Sequence, residues 1–304
     1  MFQDNWLDTT SLIKKNKNTL MIQDLDGVCI PLVNNPLTRK INKSYVYNVK
    51  KLKDHFAVLT NGEHEGKRGV NRLVEKALNN KNHVISHQLY LPGLAAGGVE
   101  YQESNGITST PGITKQEIEF LSIVPELMKT RLITRVKKIF PKLEKSEIVN
   151  EAETAILDNK YSPTINLNGF FKLCSKNDIT IRKELQNILL TVMQEIFNLS
   201  ITNGLKDSFF LHIAPNLGVE NGTEILKYST LDDIGTTDIQ FMLKGAQKEA
   251  GLLVLINKFI ESQYGKAPFG ENFNVRNCST DHNELIDLCI SMSIDISIAP
   301  IISV

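Results

Sequence analysis

No apolar run in the sequence approaches the roughly 20 residues that a bilayer-spanning helix requires. The start, Met1 to Thr10 with Asp4 and Asp8, lacks the basic-then-apolar profile of an export signal. The expectation is a soluble, cytoplasmic protein with no membrane partner. Cysteine is scarce: Cys29, Cys174, Cys278 and Cys289 lie far apart without Cys-x-x-Cys spacing. That indicates neither a disulfide framework nor a zinc site, and reduced packing residues are expected. An excess of one charge is missing as well. The 34 basic side chains equal the 34 acidic ones, so no global field draws the chain to nucleic acid or to an anionic membrane. Any anion site must therefore be local. Internal repeats and low-complexity tracts are also absent. What remains is 304 residues, 41% of them hydrophobic, enough for one large α/β domain or two unequal ones.

The run Thr19 to Gln23 reads as a buried strand that stops at the acidic tetrapeptide Asp24-Leu25-Asp26-Gly27. Between Ile41 and His55, Tyr45, Val49 and Leu52 fall at helical spacing, and Phe56 to Thr60 is a second apolar run closing on Asn61-Gly62. A crossover of that length makes the two strands parallel, so Asp24 and Thr60 emerge at the same carboxyl edge, where ligands of such sheets bind. Val70, Leu73, Val74 and Ala77 continue the pattern as one helix face. From about Tyr101 to Lys248 long amphipathic helices, such as Ile181 to Phe197, alternate with strand-like runs such as Phe209 to Ile213. The expected organisation is a core of residues 1–100 and 249–304, interrupted by an inserted domain of residues 101–248. Helical spacing returns at Gly251 to Tyr264, Asp281 to Glu284 reads as a capping box before Leu285, Leu288, Cys289 and Met292, and Ile298 to Val304 reads as a closing strand.

Two carboxylates one residue apart can reach a single site if the backbone turns sharply at Gly27. Asp24 is suited to attack a phosphoryl group, and Asp26 to protonate the leaving alkoxide and later deprotonate water, a role for a carboxyl of raised pKa. Mg²⁺ is the expected ion, held by Asp24 and Asp26, because hard oxygen ligands suit it. A plain strand-ending turn is the competing reading. An EF-hand loop fails, since Gly27 falls at its fourth position rather than its sixth. Thr60, Asn61 and Gly62 bring a hydroxyl and backbone N–H groups to the same edge as phosphate ligands.

Together the two strand ends resemble the first and second motifs of the haloacid dehalogenase-like phosphohydrolases. Longer stretches, Met21 to Cys29, Asn35 to Arg39, Leu59 to Glu63, Pro92 to Gln102 and Gly265 to Asn277, resemble the cyanobacterial glucosylglycerol-phosphate phosphatases, least so within the insert. The resemblance implies a three-layer doubly wound α/β core with a parallel sheet, an inserted α/β cap that closes over substrate, and Mg²⁺ dependence. It also implies release of phosphate from 2-O-glucosylglycerol 3-phosphate in compatible-solute synthesis under salt stress. Transient contact with the synthase of that pathway is a further expectation.

The superfamily's third motif calls for a Lys or Arg beside the phosphoryl group, and Lys266, in the Gly/Pro loop Gly265 to Gly270, is the candidate, with Arg276 as runner-up. Its fourth motif, an acidic pair after a strand, has no counterpart before the sequence ends at Val304, because Asp281, Asp287 and Asp295 precede the closing strand. The expectation is a truncated chain, less active than one extended by an acidic motif. Lesser candidates are Gly93, Gly97 and Gly98 for close approach of a sugar, His64 and Lys67 for phosphate, and His83 with His87 as metal ligands. Alternative readings are a non-catalytic sugar-phosphate binding or regulatory protein, a phosphomutase, and a phosphatase of sucrose or trehalose phosphate.

Overall fold

The structure is a computed structural model, and it describes residues 19–33, 36–175, 178–220, 222–279, 281–292 and 302–303. The chain divides into two compact units, residues 1–113 with 245–304, and residues 114–244.

In the first unit the strands β1 (Met21–Gln23), β2 (Phe56–Leu59), β3 (Gly93–Ala95), β4 (Glu100–Gln102), β5 (Thr108–Ser109) and β12 (Ile302–Ser303) form one sheet. Its order is β12-β1-β2-β3-β4-β5. The pairs from β12 to β3 are parallel, with Met21 opposite Phe56 and Val58 opposite Gly93, and the last two pairs are antiparallel. All four residues of β2 are buried, as expected of a parallel strand covered on both faces. Because successive side chains alternate, Phe56 and Val58 join the apolar cluster of α1 (Lys43–Leu52), α2 (Val70–Leu78) and α3 (Lys81–Ser86). Ala57 and Leu59 face the other way, where α8 (Lys248–Tyr264) lies with Gly251 against Leu59. The result is a three-layer α/β core. Asn42 caps α1 by accepting from the Ser44 N–H.

The expected insert boundaries shift. Residues 101–113 group with the first unit, where β4 pairs antiparallel with β3 and carries β5 beside it. Residues 245–248 belong there too, since Gly245 and Ala246 pack against Val275 and Gly97.

The second unit is an antiparallel sheet of order β6-β7-β11-β8, made from β6 (Ile156–Leu157), β7 (Thr164–Asn166), β8 (Phe209–Ala214) and β11 (Asp238–Leu243). The long helices α4 (Lys115–Ile139) and α7 (Ile179–Thr202) pack on one another, with α5 (Lys145–Ala155) and α6 (Asn168–Leu173) beside them. Thr114 and Glu117 close a capping box at the start of α4. Phe120, Phe209 and Phe241 form the aromatic centre, the last two with centroids 4.8 Å apart. A hairpin, β9 (Asn216–Glu220) and β10 (Thr223–Leu226), completes the unit. Gln186, fully buried on α7, turns its amide nitrogen to the carbonyls of Lys227, Ile234 and Thr236 and accepts from the Ser229 N–H, which ties that loop to the helix.

Most of the expected closing strand lies outside the described residues, as does Asp295. Asp281 caps α9 (His282–Met292) through the N–H groups of Asn283 and Glu284, and Asp287 is exposed. Cys29, Cys174 and Cys278 are free thiols.

Candidate active site

β1 delivers Asp24 to the carboxyl edge, and the chain then folds back on itself. Gly27 takes φ +83, a conformation that L side chains resist, and its N–H donates to the Ile30 carbonyl at 2.7 Å. Ile30 in turn donates to Leu25 at 2.9 Å. Leu25 is fully buried and plugs the core, which leaves Asp24 and Asp26 to turn outward, each with about a third of its side chain exposed. The sharp turn that the sequence required at Gly27 is there.

Each carboxylate has a cation. The Asp24 Oδ1 accepts from the Leu25 N–H at 2.8 Å, while its Oδ2 is paired with the Nζ of Lys248. The Asp26 Oδ2 is paired with Arg39 Nη1 at 2.7 Å, and Arg39, nearly buried, spends another guanidinium nitrogen on the Arg68 carbonyl. The two-armed grip fixes the Asp26 rotamer against the loop after β2.

β2 ends at Thr60, which is 1% exposed. Its N–H donates to Leu94 at 3.0 Å, its carbonyl accepts from Gly97 at 3.1 Å, and its Oγ accepts the Gly62 N–H at 3.2 Å. Gly62 lies beside the carboxylates: a methyl group built on it would sit 3.6 Å from the Thr60 Oγ, 3.9 Å from Arg39 Nη1 and 4.0 Å from Asp26 Oδ2. Thr60, Gly62, Asp26 and Arg39 are thus one cluster, with Asn61 exposed at its rim.

The lysine at this edge is Lys248, the first residue of α8, rather than Lys266. A cation in the first turn of a helix opposes the macrodipole, so its placement needs an anionic partner, and Asp24 supplies one. Two glycines set its reach. A side chain on Gly251 would stand 3.3 Å from the Gly98 Cα and 2.7 Å from Leu59, so the start of α8 rests directly on the turn after β3. Lys266 follows Gly265, the left-handed cap at the other end of α8, about 24 Å along the axis. Its loop is pinned there by Asn257, which donates to the Gly270 carbonyl at 2.9 Å and accepts from the Phe269 N–H at 2.8 Å. Arg276 sits in the short turn Val275–Asn277 beside Gly112 and Gly245.

The lesser candidates resolve into structural roles. Gly93 faces the Val58 carbonyl, 2.3 Å from where a Cβ would be, and Gly97 and Gly98 face Ala246 and Val275, so protein and not sugar occupies the space they leave. His83 lies in α3 and His87 caps it, with rings 4.1 Å apart, but His83 Nε2 is engaged by Tyr47 and His87 Nδ1 by the His83 carbonyl. Among the described residues no group of three or more His, Cys, Asp or Glu is placed to hold a metal ion. Lys67 is exposed, whereas His64 is fully buried and out of reach of phosphate.

The His64 N–H donates to Glu100 Oε2 at 2.7 Å, and its Nε2 lies 3.2 Å from the Gly93 carbonyl. Burial lowers its pKa to about 4. In the unfolded chain the imidazole returns to about 6.5. The contribution to stability is therefore complete above pH 6.5 and declines as the pH falls towards 4, by about 3 kcal/mol over that window. Urea midpoints measured from pH 7 to pH 4.5 should fall more steeply in the parent than in His64→Gln. Parallel profiles would contradict the assignment.

A carboxylate offset by a helix-borne ammonium, a second carboxylate held one residue away, and a hydroxyl closing the next parallel strand thus share one edge of the sheet, and the chain is a phosphatase. The chain belongs to the glucosylglycerol-phosphate phosphatase family, whose model matches residues 18–304. A glucosylglycerol-phosphate phosphatase of Synechocystis sp. is 40% identical over 291 residues, which cover 95% of this chain and 68% of that protein. Among solved structures, the C-terminal domain of a Candida albicans trehalose-6-phosphate phosphatase matches with 11% identity and a TM-score of 0.40, over 87% of this chain and 82% of that one. The C-terminal domain of the Candida albicans trehalose synthase regulatory protein matches with 11% identity and a TM-score of 0.43, over 91% and 74%.

Proposed function

We propose that this phosphatase hydrolyses 2-O-glucosylglycerol 3-phosphate in compatible-solute synthesis, with Asp24 as nucleophile and Asp26 as proton shuttle. The observation that carries the reading is the pairing of Asp24 with Lys248 beside an Asp26 clamped by Arg39, since two bare carboxylates would repel a phosphate dianion.

An Asp24 oxygen attacks phosphorus and the bond to the alkoxide breaks, while a proton carried on Asp26 Oδ1, the oxygen not paired with Arg39, passes to the leaving oxygen. Water then attacks the aspartyl-phosphate, and Asp26 takes its proton, so that both carboxyls return to their starting state. The Lys248 ammonium balances charge on the transferring oxygens, and the Asn61 N–H, with the Thr60 hydroxyl that the Gly62 N–H positions, orients them. Arg39 keeps Asp26 in line with the bond that breaks.

The donor set at this edge is hard oxygen from two half-buried carboxylates, which fits Mg²⁺ better than a soft metal. Asp24 and the Asp26 carbonyl would hold the ion. When bound, it supplies further positive charge to the phosphoryl group. The same reading has the protein acting in the cytoplasm, next to the synthase that forms its substrate.

The test is Mg²⁺-dependent phosphate release from glucosylglycerol phosphate, sucrose phosphate and trehalose phosphate. The largest kcat/KM is expected for the first. Binding of all three without release would favour a regulatory protein, and transfer of phosphate between positions of one sugar would favour a mutase.

A further inference from the structure

The first unit contains a cavity of about 560 Å³ at the edge of the sheet opposite Asp24. Leu20 and Phe56 line it, four residues before Asp24 and Thr60 respectively, which puts it about 13 Å away along the strands. Its floor is apolar and buried: Leu20, Val49, Phe56, Leu255 and Phe259. Its volume falls within the range of small-molecule sites, which combine such a floor with a few convergent polar groups.

The polar groups at the mouth carry both signs, with three lysines against the carboxylates of Asp54 and Glu103. Lys50, Lys53 and Lys258 line the cavity, from the end of α1, the turn after it and the third turn of α8. Among the described residues none of the three makes an ion pair: Lys50 Nζ lies 3.4 Å from the Gln88 amide oxygen, and Lys258 Nζ lies over the Tyr101 ring, 4.6 Å from its centroid. Lys53 is held at φ 49, ψ −127, a conformation that favours glycine, and strain of this kind gathers at working sites. Asp54, Glu103 and Gln88 share the rim and offer acceptors to hydroxyl groups.

We propose that this cavity is a second ligand site, for a small phosphate monoester carried on a hydroxylated ring. Ammonium groups take the phosphate oxygens, the apolar floor and the Tyr101 ring take the body, and the rim acceptors take its hydroxyls. A sugar phosphate and a nucleoside monophosphate share that chemistry.

The test uses the full chain carrying Asp24→Asn, so that no ligand is consumed, and reads binding alone, which makes its outcome independent of the reaction proposed above. Glucose 6-phosphate and adenosine 5′-monophosphate are titrated separately by calorimetry against this protein and against the same protein with Lys50→Glu, Lys53→Glu and Lys258→Glu. At least one probe should lose one binding site, or weaken at that site by ten-fold or more, and which probe does so identifies the class. Glucose and adenosine should not bind there at equal concentration. Lys50 and Lys53 are exposed, so the Lys50→Glu, Lys53→Glu pair, confirmed folded by circular dichroism, gives the same reading if Lys258→Glu disturbs α8. Unchanged stoichiometry and affinity in the variants, no binding of either probe, or equal binding of the unphosphorylated rings would each overturn the proposal.

Discussion

Asp24→Asn is expected to lower Mg²⁺-dependent phosphate release by about 10⁴-fold or more, because an amide oxygen cannot form and release the acyl-phosphate that splits the hydrolysis into two steps. The substitution is nearly isosteric. Asn keeps an oxygen for the Leu25 N–H, and the Arg39 pair with Asp26 is untouched, so a lost activity cannot be ascribed to a lost fold. Two measurements separate chemistry from binding. Single-turnover release should vanish, and labelled phosphate trapped on the parent by acid quench should be absent from the variant. A variant retaining a tenth of the parent rate would remove Asp24 from the role of nucleophile and with it the two-step mechanism.

Lys248→Met should be the next most damaging change, with kcat falling by about 10²- to 10³-fold, the scale seen when one charge-stabilising donor is removed from a transition state. Met preserves the length and apolar character of the stem, so the start of α8 keeps its packing. KM should rise as well, since an unshielded Asp24 repels the substrate dianion. Lys248→Arg should recover part of kcat, because charge is restored but the planar fork does not match the ammonium's seat. Lys266→Met is the control, with less than a two-fold change, as its loop lies at the far end of the helix. A larger loss for Lys266→Met than for Lys248→Met would reverse the assignment of the cation.

The legible part of this site is the part made from neighbouring strands. Asp24, Asp26 and Thr60 could be read because each closes an apolar run, and because one intervening helix forces the two runs parallel. The cation could not be read in the same way. Lys248 lies 224 residues from its partner in sequence, in a position where helix electrostatics disfavours a lysine, and the Gly/Pro loop around Lys266 carried a more conspicuous signal. The unfavourable position was itself a clue: a lysine opening the Gly251 helix needs an acid nearby. Arg39 is visible in the sequence only as the end of the family-resembling stretch Asn35 to Arg39, since nothing local says that a guanidinium reaches both Asp26 and the Arg68 carbonyl. The edge of the insert is hard to read because β4 and β5 are short and polar, and only their pairing, β4 to β3 and β5 to β4, joins them to the core sheet.

The seat of Gly251 on Gly98 gives the two ends of the core a shared tolerance. A carbon added at either position would press on the Cα of the other, at 3.3 Å from Gly251 and 3.1 Å from Gly98, and so strain the seat of the helix that Lys248 opens. The spacing between Lys248 and Asp24 thus rests on one backbone contact within the core.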